Sequence, residues 1–166
     1  MKLFKKLAAA MLVAALALTM VGCGGSNSLL DQVKNVITDV YAMKDKELTN
    51  KKELDELAAK LVAEADKAAA ENKDKTVLGL LTDETVVEAA GIDAATETYY
   101  VSAAENYKLL SSTANKEKAV MLALELTNSG EKIGGGVLNP NSYGLAMGKI
   151  NGKEYFVILM NGPSRL

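Results

Sequence analysis

The stretch YGLAMGKINGKEYFVILM, residues 143–160, decides the fold class of this chain. Asn151-Gly152 at its centre is the strongest short signal for a two-residue type I′ turn, because both positions of that turn need a positive φ. The flanking segments are therefore predicted to pair as a β-hairpin. A two-residue loop also sets the register and places Ile150 opposite Lys153.

The same register puts Lys149 opposite Glu154 as a cross-strand charge pair and divides the hairpin into two apolar faces. One face consists of large side chains: Tyr143, Leu145, Met147, Phe156, Ile158 and Met160. The other consists of small residues beside larger ones: Gly144, Ala146, Gly148, Tyr155, Val157 and Leu159. Two apolar faces predict a sheet covered on both sides. The glycines predict a close approach, either by a helix or by the Tyr155 ring laid over Gly148.

Upstream of the hairpin, periodic apolar residues predict helices and two further strand segments. Helices are expected after a Ser28 cap with Asp31 in capping-box position, after Thr49 or Asn50 as far as about Asn72, and from Asp83 to Ala90 after a Thr82 cap. A last helix is expected to follow Asn115 and to close near Asn128 to Gly130. Gly91-Ile92 predicts a Schellman stop. Strand character is found at 98–101 and 107–110, and the run 77–81 stays unassigned. Residues 29–166 are thus predicted to form a single α+β domain, with helices packed on a small, mainly antiparallel sheet that ends in a C-terminal β-hairpin.

The first 22 residues have the pattern of a lipoprotein signal peptide rather than of a folded segment. Lys2, Lys5 and Lys6 precede an uncharged run from Leu7 to Gly22. As a helix this run spans about 24 Å, short of a hydrocarbon core of about 30 Å. It is therefore predicted to be a secretory signal peptide that is removed from the mature protein.

Met20-Val21-Gly22-Cys23 resembles the lipobox of bacterial lipoproteins, with Met and Val at positions where Leu and a small residue are usual. The resemblance implies that a diacylglyceryl group is attached to the Cys23 thiol and that a peptidase cuts just before it. Residues 23–28 would then be the lipidated Cys, with its palmitate, and a flexible Gly-Gly-Ser-Asn-Ser tether. The alternative is an ordinary secretory peptide with Cys23 incidental or buried.

Composition excludes several classes of site. The chain has no His, no Trp and one Cys. It therefore contains no Ser-His-Asp triad, no His-ligated zinc and no internal disulfide, and we predict neither a metal nor a cofactor. The net charge is −2, and it becomes more negative once three lysines leave with the signal peptide. Nucleic acid is not expected as a partner of such a chain, because phosphate neutralisation needs clustered Lys and Arg.

Carboxylates are the catalytic groups that the composition leaves open. The candidates are Asp83, Glu84, Glu88, Asp93 and Glu97, all of which also suit helix caps and solvated faces. Ser142 and Lys149 are a second formal candidate, as a nucleophile and its base. Gly134-Gly135-Gly136 lacks the Lys and Ser or Thr of a phosphate loop and is predicted to be a connector. The charges of Lys51, Lys52, Glu53, Asp55 and Glu56 are predicted to form a solvated helix face.

Several segments between residues 75 and 160 resemble an uncharacterised family of small lipoproteins from Gram-positive anaerobes. They are Leu81-Thr82-Asp83-Glu84, Gly91-Ile92-Asp93, Glu97 to Glu105 and the terminal Gly152-Lys-Glu-Tyr-Phe-Val-Ile-Leu strand. That resemblance implies a lipid-anchored α/β domain and carries over no catalytic residue.

Together, these features predict a lipid-anchored extracytoplasmic domain and favour a binding or accessory module of the cell envelope over an enzyme. Its expected partners are the cell membrane, through the lipid on Cys23, and an envelope protein or ligand. The rival hypotheses are an envelope hydrolase that uses carboxylates or the Ser–Lys pair, and a structural spacer.

Overall fold

The computed structural model describes residues 28–107 and 115–165, and these form an α+β domain as predicted. The predicted signal peptide (1–22), Cys23 and the predicted tether up to Asn27 lie outside the described residues. The described helices are α1 Leu29–Ala42, α2 Lys52–Ala69, α3 Val77–Leu81, α4 Glu84–Ala89 and α5 Asn115–Asn128. The described strands are β1 Thr49–Asn50, β2 Tyr99–Glu105, β3 Glu131–Ile133, β4 Val137–Leu138, β5 Ser142–Ile150, β6 Lys153–Asn161 and β7 Ser164–Arg165.

Strands β5 and β6 form the predicted hairpin with the predicted register. Ile150 lies opposite Lys153, and Lys149 lies opposite Glu154. Asn151 has φ of 52° and Gly152 has φ of 78°, as a type I′ turn requires. Local turn chemistry therefore sets the pairing of the two longest strands that the structure describes.

The hairpin occupies the middle of a five-stranded mixed sheet with the strand order β1-β5-β6-β2-β3. Strand β1 is parallel to β5, while the other neighbouring pairs are antiparallel. Strands β4 and β7 form a separate antiparallel pair. The main sheet is thus mainly antiparallel, with one short parallel strand at its edge.

Both faces of the sheet are covered, as the apolar pattern of the hairpin predicted. Helices α2, α3 and α4 pack on the face that contains Val157 and Leu159. Helices α1 and α5 pack on the opposite face, against Phe156 and Ile158. The result is three layers, with the sheet between two helical layers and an apolar core on each side.

Of the two close approaches considered for the small-residue face, the structure shows the helix. A Cβ on Gly144 would lie 2.0 Å from the backbone carbon of Leu54, and one on Gly148 would lie 2.7 Å from the Val62 side chain. Helix α2 therefore lies directly against β5 at these two glycines.

Most predicted helix boundaries agree with the structure, and two caps do not. Ser28 caps α1 by accepting a hydrogen bond from the Asp31 N–H. Gly91, with φ of 91°, ends α4 in a Schellman motif in which the Ile92 N–H donates to the Val87 carbonyl. The cap of α4, however, is Asp83 rather than Thr82.

The predicted cap of α2 at Thr49 or Asn50 is also wrong. Helix α2 begins after Lys51, which makes no side-chain cap bond, because Thr49 and Asn50 are already paired with β5 as a strand. The unassigned run 77–81 is the short helix α3. Of the strand predicted at 107–110, Tyr107 follows the end of β2, and the rest lies outside the described residues.

Candidate functional site

The residue that the sequence singles out, Cys23, lies outside the described part of the chain. The structure does describe where its tether enters the domain. Ser28, five positions after Cys23, is the N-cap of α1. Five extended residues reach at most about 17 Å, so a lipid on Cys23 would hold α1 close to the bilayer.

Three of the five carboxylates considered for hydrolysis serve in a helix cap or a turn. Asp83 caps α4 and forms an ion pair of 2.5 Å with Lys75. The hydrogen bonds from Lys75 and Thr85 lower the pKa of Asp83 to about 2, from its ordinary 3.8. These contacts stabilise the ionised form, which is the opposite of what a general acid needs.

The other candidate carboxylates are exposed on the same part of the surface. Asp93 accepts from the Ala95 N–H and the Thr96 hydroxyl, and these bonds lower its pKa. Glu97 accepts from the Asp93 N–H at 3.2 Å and so belongs to the same turn. Glu84 and Glu88 are exposed on α4. Three of the five candidate carboxylates are thus used in a cap or a turn, and two are solvated on α4.

Ser142 and Lys149 are not brought together. Both lie on β5, seven residues apart, which places their Cα atoms about 23 Å apart and their side chains on opposite faces. The Ser142 hydroxyl is buried and donates to the Asn161 carbonyl at 3.2 Å, whereas Lys149 is exposed. The structure therefore assembles no Ser–Lys nucleophile from this pair.

The three glycines after β3 form a connector, as predicted, and two of them have specific contacts. Gly134 has φ of 87°, and a Cβ there would lie 2.2 Å from the Glu97 carbonyl oxygen. The Gly136 N–H donates to the Thr98 hydroxyl at 3.1 Å. The connector thus packs against the turn before β2.

The least expected polar group is Asp55, which the sequence pattern assigned to a solvated helix face. That prediction is wrong, because Asp55 is buried in the first turn of α2. One carboxylate oxygen lies 2.6 Å from the Lys34 ammonium of α1. The other accepts from the Asn50 amide at 2.9 Å and from the Leu145 N–H at 2.7 Å.

The position of Asp55 follows from the way β1 ends. The Lys51 N–H donates to the Tyr143 carbonyl and extends the parallel pairing with β5 by one bond. The Lys51 carbonyl, however, accepts from the Leu54 and Asp55 N–H groups at the start of α2. The Asp55 carboxylate therefore accepts the hydrogen bond from the Leu145 N–H that a carbonyl of the neighbouring strand would otherwise accept. The buried Leu145 N–H at the sheet edge thus has an acceptor.

The buried pair connects the two helical layers around this edge. Helix α1 lies on one side of the sheet and α2 on the other, and Lys34 and Asp55 meet between them. The fully buried Tyr143 hydroxyl adds a bond of 2.9 Å to the Lys34 carbonyl and lies 3.3 Å from the Thr38 hydroxyl. Burial raises the pKa of Tyr143, so its phenol stays protonated.

An open cleft of about 500 Å³ lies beside this network, and we call it the β1 cleft. It lies between the end of α1, the loop that follows and β1. Its lining residues are Thr38, Ala42, Asp45, Lys46, Glu47, Leu48, Thr49 and Asn50. Asn50 belongs both to the cleft and to the buried network. The lining of the cleft therefore combines exposed charged groups with the hydrogen-bonded side chain of Asn50.

A smaller depression of about 310 Å³, the hairpin pocket, lies between α2, α3 and the β5–β6 turn. Its lining includes Leu80 and Ile150, with Lys75, Lys153 and Tyr155 around them. Each lysine is already paired, Lys75 with Asp83 and Lys153 with Glu105 at 3.2 Å. An anionic ligand would compete with these two carboxylates.

A signal for Asp55 was present in the sequence. Asp55, Ala58, Val62, Ala65 and Ala69 recur at alternating three- and four-residue spacing, and all five are buried. A carboxylate on the buried stripe of a helix is expected to have a cationic partner. The identity of that partner could not be predicted from neighbouring residues, because Lys34 lies 21 positions before Asp55 in the sequence.

Two general features of the described residues bear on function. No group of three or more His, Cys, Asp or Glu side chains in these residues could hold a metal ion. None of the described helices combines the length and the apolar character that crossing a bilayer requires.

Comparison with known proteins gives no relative. No family model matches the chain, and neither a curated protein nor a solved structure matches it. The resemblance to small lipoproteins therefore stays a hypothesis that rests on the residues quoted for it.

Proposed function

We propose that this chain is a lipid-anchored extracytoplasmic domain that acts as a binding or accessory module of the cell envelope. The observation that carries the proposal is the sequence Met20-Val21-Gly22-Cys23 at the end of an uncharged run with lysines before it. A thioether lipid with two chains binds a bilayer stably, where a single acyl chain is marginal.

The arrangement of the domain supports this proposal. A short polar segment links Cys23 to Ser28, and the folded part begins there without a further linker. The β1 cleft offers a concave surface, and Asn50 in its lining is hydrogen-bonded to both Lys34 and Asp55. Of the five carboxylates considered for a hydrolase, Asp83, Asp93 and Glu97 are engaged in a cap or a turn, and the other two are exposed on α4.

Metabolic labelling with a palmitate analogue tests the anchor. Wild-type chain should be labelled and should sediment with membranes, whereas Cys23→Ser should lose the label and accumulate as a larger precursor. The matched control is Ser26→Ala, which changes the tether and keeps the lipobox, and it should be labelled like wild type. Unchanged labelling of Cys23→Ser would refute the anchor.

Affinity capture tests the binding role. Full-length chain is used to retain envelope components, and Thr49→Arg is introduced to fill the β1 cleft from an exposed position of its lining. The control Thr96→Arg places the same side chain at an exposed position outside that lining. A component retained by wild type and by Thr96→Arg, but lost with Thr49→Arg, is the expected result. If Thr49→Arg retains the same component, the β1 cleft is not the binding surface.

A further inference from the structure

Three side chains at the edge of the sheet, those of Lys34, Asn50 and Asp55, are hydrogen-bonded to one another. The Lys34 ammonium of α1 donates to the Asn50 Oδ1 of β1 at 3.2 Å. The same ammonium lies 2.6 Å from the Asp55 Oδ2. The Asn50 Nδ2 donates to the other oxygen of that carboxylate, Oδ1, at 2.9 Å. An amine, an amide and a carboxylate therefore form a closed triangle of contacts.

These contacts determine which way the Asn50 amide points. Its Nδ2 faces two acceptors, the Asp55 carboxylate and the Tyr143 carbonyl at 3.2 Å. Its Oδ1 faces an ammonium, which can only donate. A flipped amide would lose all three bonds. The carbonyl of the amide therefore faces the lysine, and the amide nitrogen faces the carboxylate.

The amine and the carboxylate are both largely withdrawn from water. The Lys34 side chain is 18% exposed and the Asp55 side chain 10%. Moving a proton from the ammonium to the carboxylate turns this ion pair into two neutral groups, and neutral groups are less costly to bury than charges. Asn50 lies on the exposed strand β1, so a small product released there has a path to the solvent.

We propose that Lys34 and Asn50 join covalently in an isopeptide bond, and that Asp55 is the catalytic residue of this self-modification. A carboxylate in contact with both an amine and an amide can act first as a base and then as an acid. The inference goes beyond the proposed function and does not depend on the lipid anchor, since all three residues lie within the described domain.

The reaction is a displacement at the amide carbon. Asp55 takes a proton from the Lys34 ammonium, and the amine attacks the Asn50 Cγ, so that an N–C bond forms and the C=O electron pair moves to Oδ1. Asp55 then gives its proton to the Asn50 Nδ2, the C=O bond re-forms, the Cγ–Nδ2 bond breaks and ammonia leaves. The ammonia takes the remaining extra proton from the new amide nitrogen. The lysine ammonium and the asparagine amide thus become a secondary amide and one ammonium ion, without an oxidant or a cofactor.

The described arrangement is the one that precedes the bond. A carbonyl carbon lies about 1.2 Å from its oxygen, so the Lys34 Nζ lies at most about 4.4 Å from the Asn50 Cγ. Attack requires the two atoms to be about 3–3.5 Å apart with their orbitals aligned. Because the amine donates to the oxygen, its side chain must first turn toward the carbon. We therefore expect the bond to form slowly, after the chain has folded.

The bond ties α1 directly to the edge of the sheet. Lys34 and Asn50 are 16 positions apart in the sequence. Between them lie four residues that line the β1 cleft: Asp45, Lys46, Glu47 and Leu48. A chain that is cut in this segment stays in one piece once the bond has formed, and the unfolded chain keeps a closed loop.

Tryptic digestion and mass spectrometry of the full-length chain test the bond. Trypsin cuts after Lys46 and Lys51 but not after an acylated lysine. Linked chain should give a branched peptide in which residues 47–51 are joined to the peptide that contains Lys34. This peptide should be about 17 Da lighter than its two parts together, because ammonia has left. Its fraction should rise while folded chain is incubated at neutral pH, and should not rise in urea, where the three side chains separate.

Three variants assign the roles. Lys34→Arg removes the nucleophile and keeps a positive charge beside Asp55, so it should give no branched peptide. Lys52→Arg is the matched control and should be linked like wild type, because the Lys52 side chain is 73% exposed and pairs with the Glu56 carboxylate rather than with an amide. Asp55→Asn keeps the shape of the side chain without its base, and should slow the linkage by about 100-fold or more.

Three results would overturn the inference. Recovery of residues 47–51 only as a linear peptide, after incubation of folded wild-type chain, excludes the bond. Loss of ammonia found only at Asn151-Gly152, a pair that can close to a cyclic imide, assigns the change in mass to the hairpin turn instead. A branched peptide that Asp55→Asn forms as fast as wild type removes the catalytic role of the carboxylate.

Discussion

Replacing Asp55 with alanine should lower the free energy of unfolding by about 3 kcal/mol, a large fraction of a total of about 5–15 kcal/mol. The carboxylate accepts hydrogen bonds from Lys34, Asn50 and the Leu145 N–H at 2.6, 2.9 and 2.7 Å. Its removal leaves the Leu145 N–H without an acceptor in a residue that is 1% exposed. A buried unsatisfied donor costs about 1–3 kcal/mol, and the separated Lys34 charge adds to that cost.

Breaking a buried ion pair lowers the free energy of unfolding by about 3–5 kcal/mol. We expect the lower value for Asp55→Ala, because the Lys34 side chain keeps 18% of its surface exposed and can turn toward water. Asp55→Asn should lower the free energy of unfolding by less than Asp55→Ala does, because the amide oxygen of asparagine can still accept from the Leu145 N–H. Glu56→Ala is the matched control one residue along the same helix. Its ion pair with Lys52, 3.9 Å long between side chains that are 56% and 73% exposed, should contribute less than about 0.5 kcal/mol.

Urea denaturation of the three variants and wild type at pH 7 measures these differences, with equal m-values as the condition for comparing midpoints. A double-mutant cycle with Lys34→Ala then isolates the coupling between the two charges. If Asp55→Ala is as stable as Glu56→Ala, the buried network contributes nothing to stability and the reasoning fails.

Three further predictions concern backbone contacts and charge. Gly144→Ala should destabilise the domain severely, because its Cβ would lie 2.0 Å from the α2 backbone. Gly135→Ala is the control and should be tolerated, because the space around Gly135 is open. Thermal melts of the two variants test this difference. Gly152→Val should cost about 1–3 kcal/mol because valine is strained at φ of 78°, and a melting temperature equal to that of wild type would contradict the turn. Asp83 has its pKa lowered from 3.8 to about 2 by Lys75, so its ionised form stabilises the fold above pH 4, and this contribution is lost as the pH falls toward 2. Asp83→Asn should therefore be less stable than wild type at pH 7 and equal to it near pH 2, and a stability difference that persists unchanged at pH 2 would refute the charge effect.

The elements that could be predicted from the sequence are those controlled by neighbours along the chain. Asn151-Gly152 requires a turn with two positive φ angles, and that turn determined the register of nine residue pairs. Ser28 and Gly91 bounded helices by bonding to backbone groups a few positions away. Such interactions depend on local conformation, so a short window of sequence contains their cause.

The errors occurred where a distant strand competed with a local preference. Thr49 and Asn50 have the side chains of good helix caps. Both are used instead in pairing with Ser142 and Tyr143, more than ninety positions away. Parallel pairing of two residues with the edge of a sheet leaves no periodic pattern, so the sequence contained no signal for β1.

The candidate site likewise has one part that the sequence predicts and another part that depends on contacts between distant segments. The lipidation of Cys23 is predicted from sequence alone, because a signal peptide and a lipobox are linear patterns, and it stays a prediction. The β1 cleft and the buried Lys34–Asp55 pair could not be predicted, because they depend on how α1 and α2 meet around the sheet edge.

The sequence by itself therefore determined the α+β class, the hairpin with its register, the start of α1 and the end of α4, and it predicts which segment carries the lipid. Tertiary structure alone decided which helices cover which face, why β5 has glycines at positions 144 and 148, and that Asp55 is buried rather than solvated. The reason is that turns and caps are satisfied within a few residues. Burial, by contrast, depends on contacts between segments far apart in the chain, and their meeting is fixed by the packing of all the layers at once.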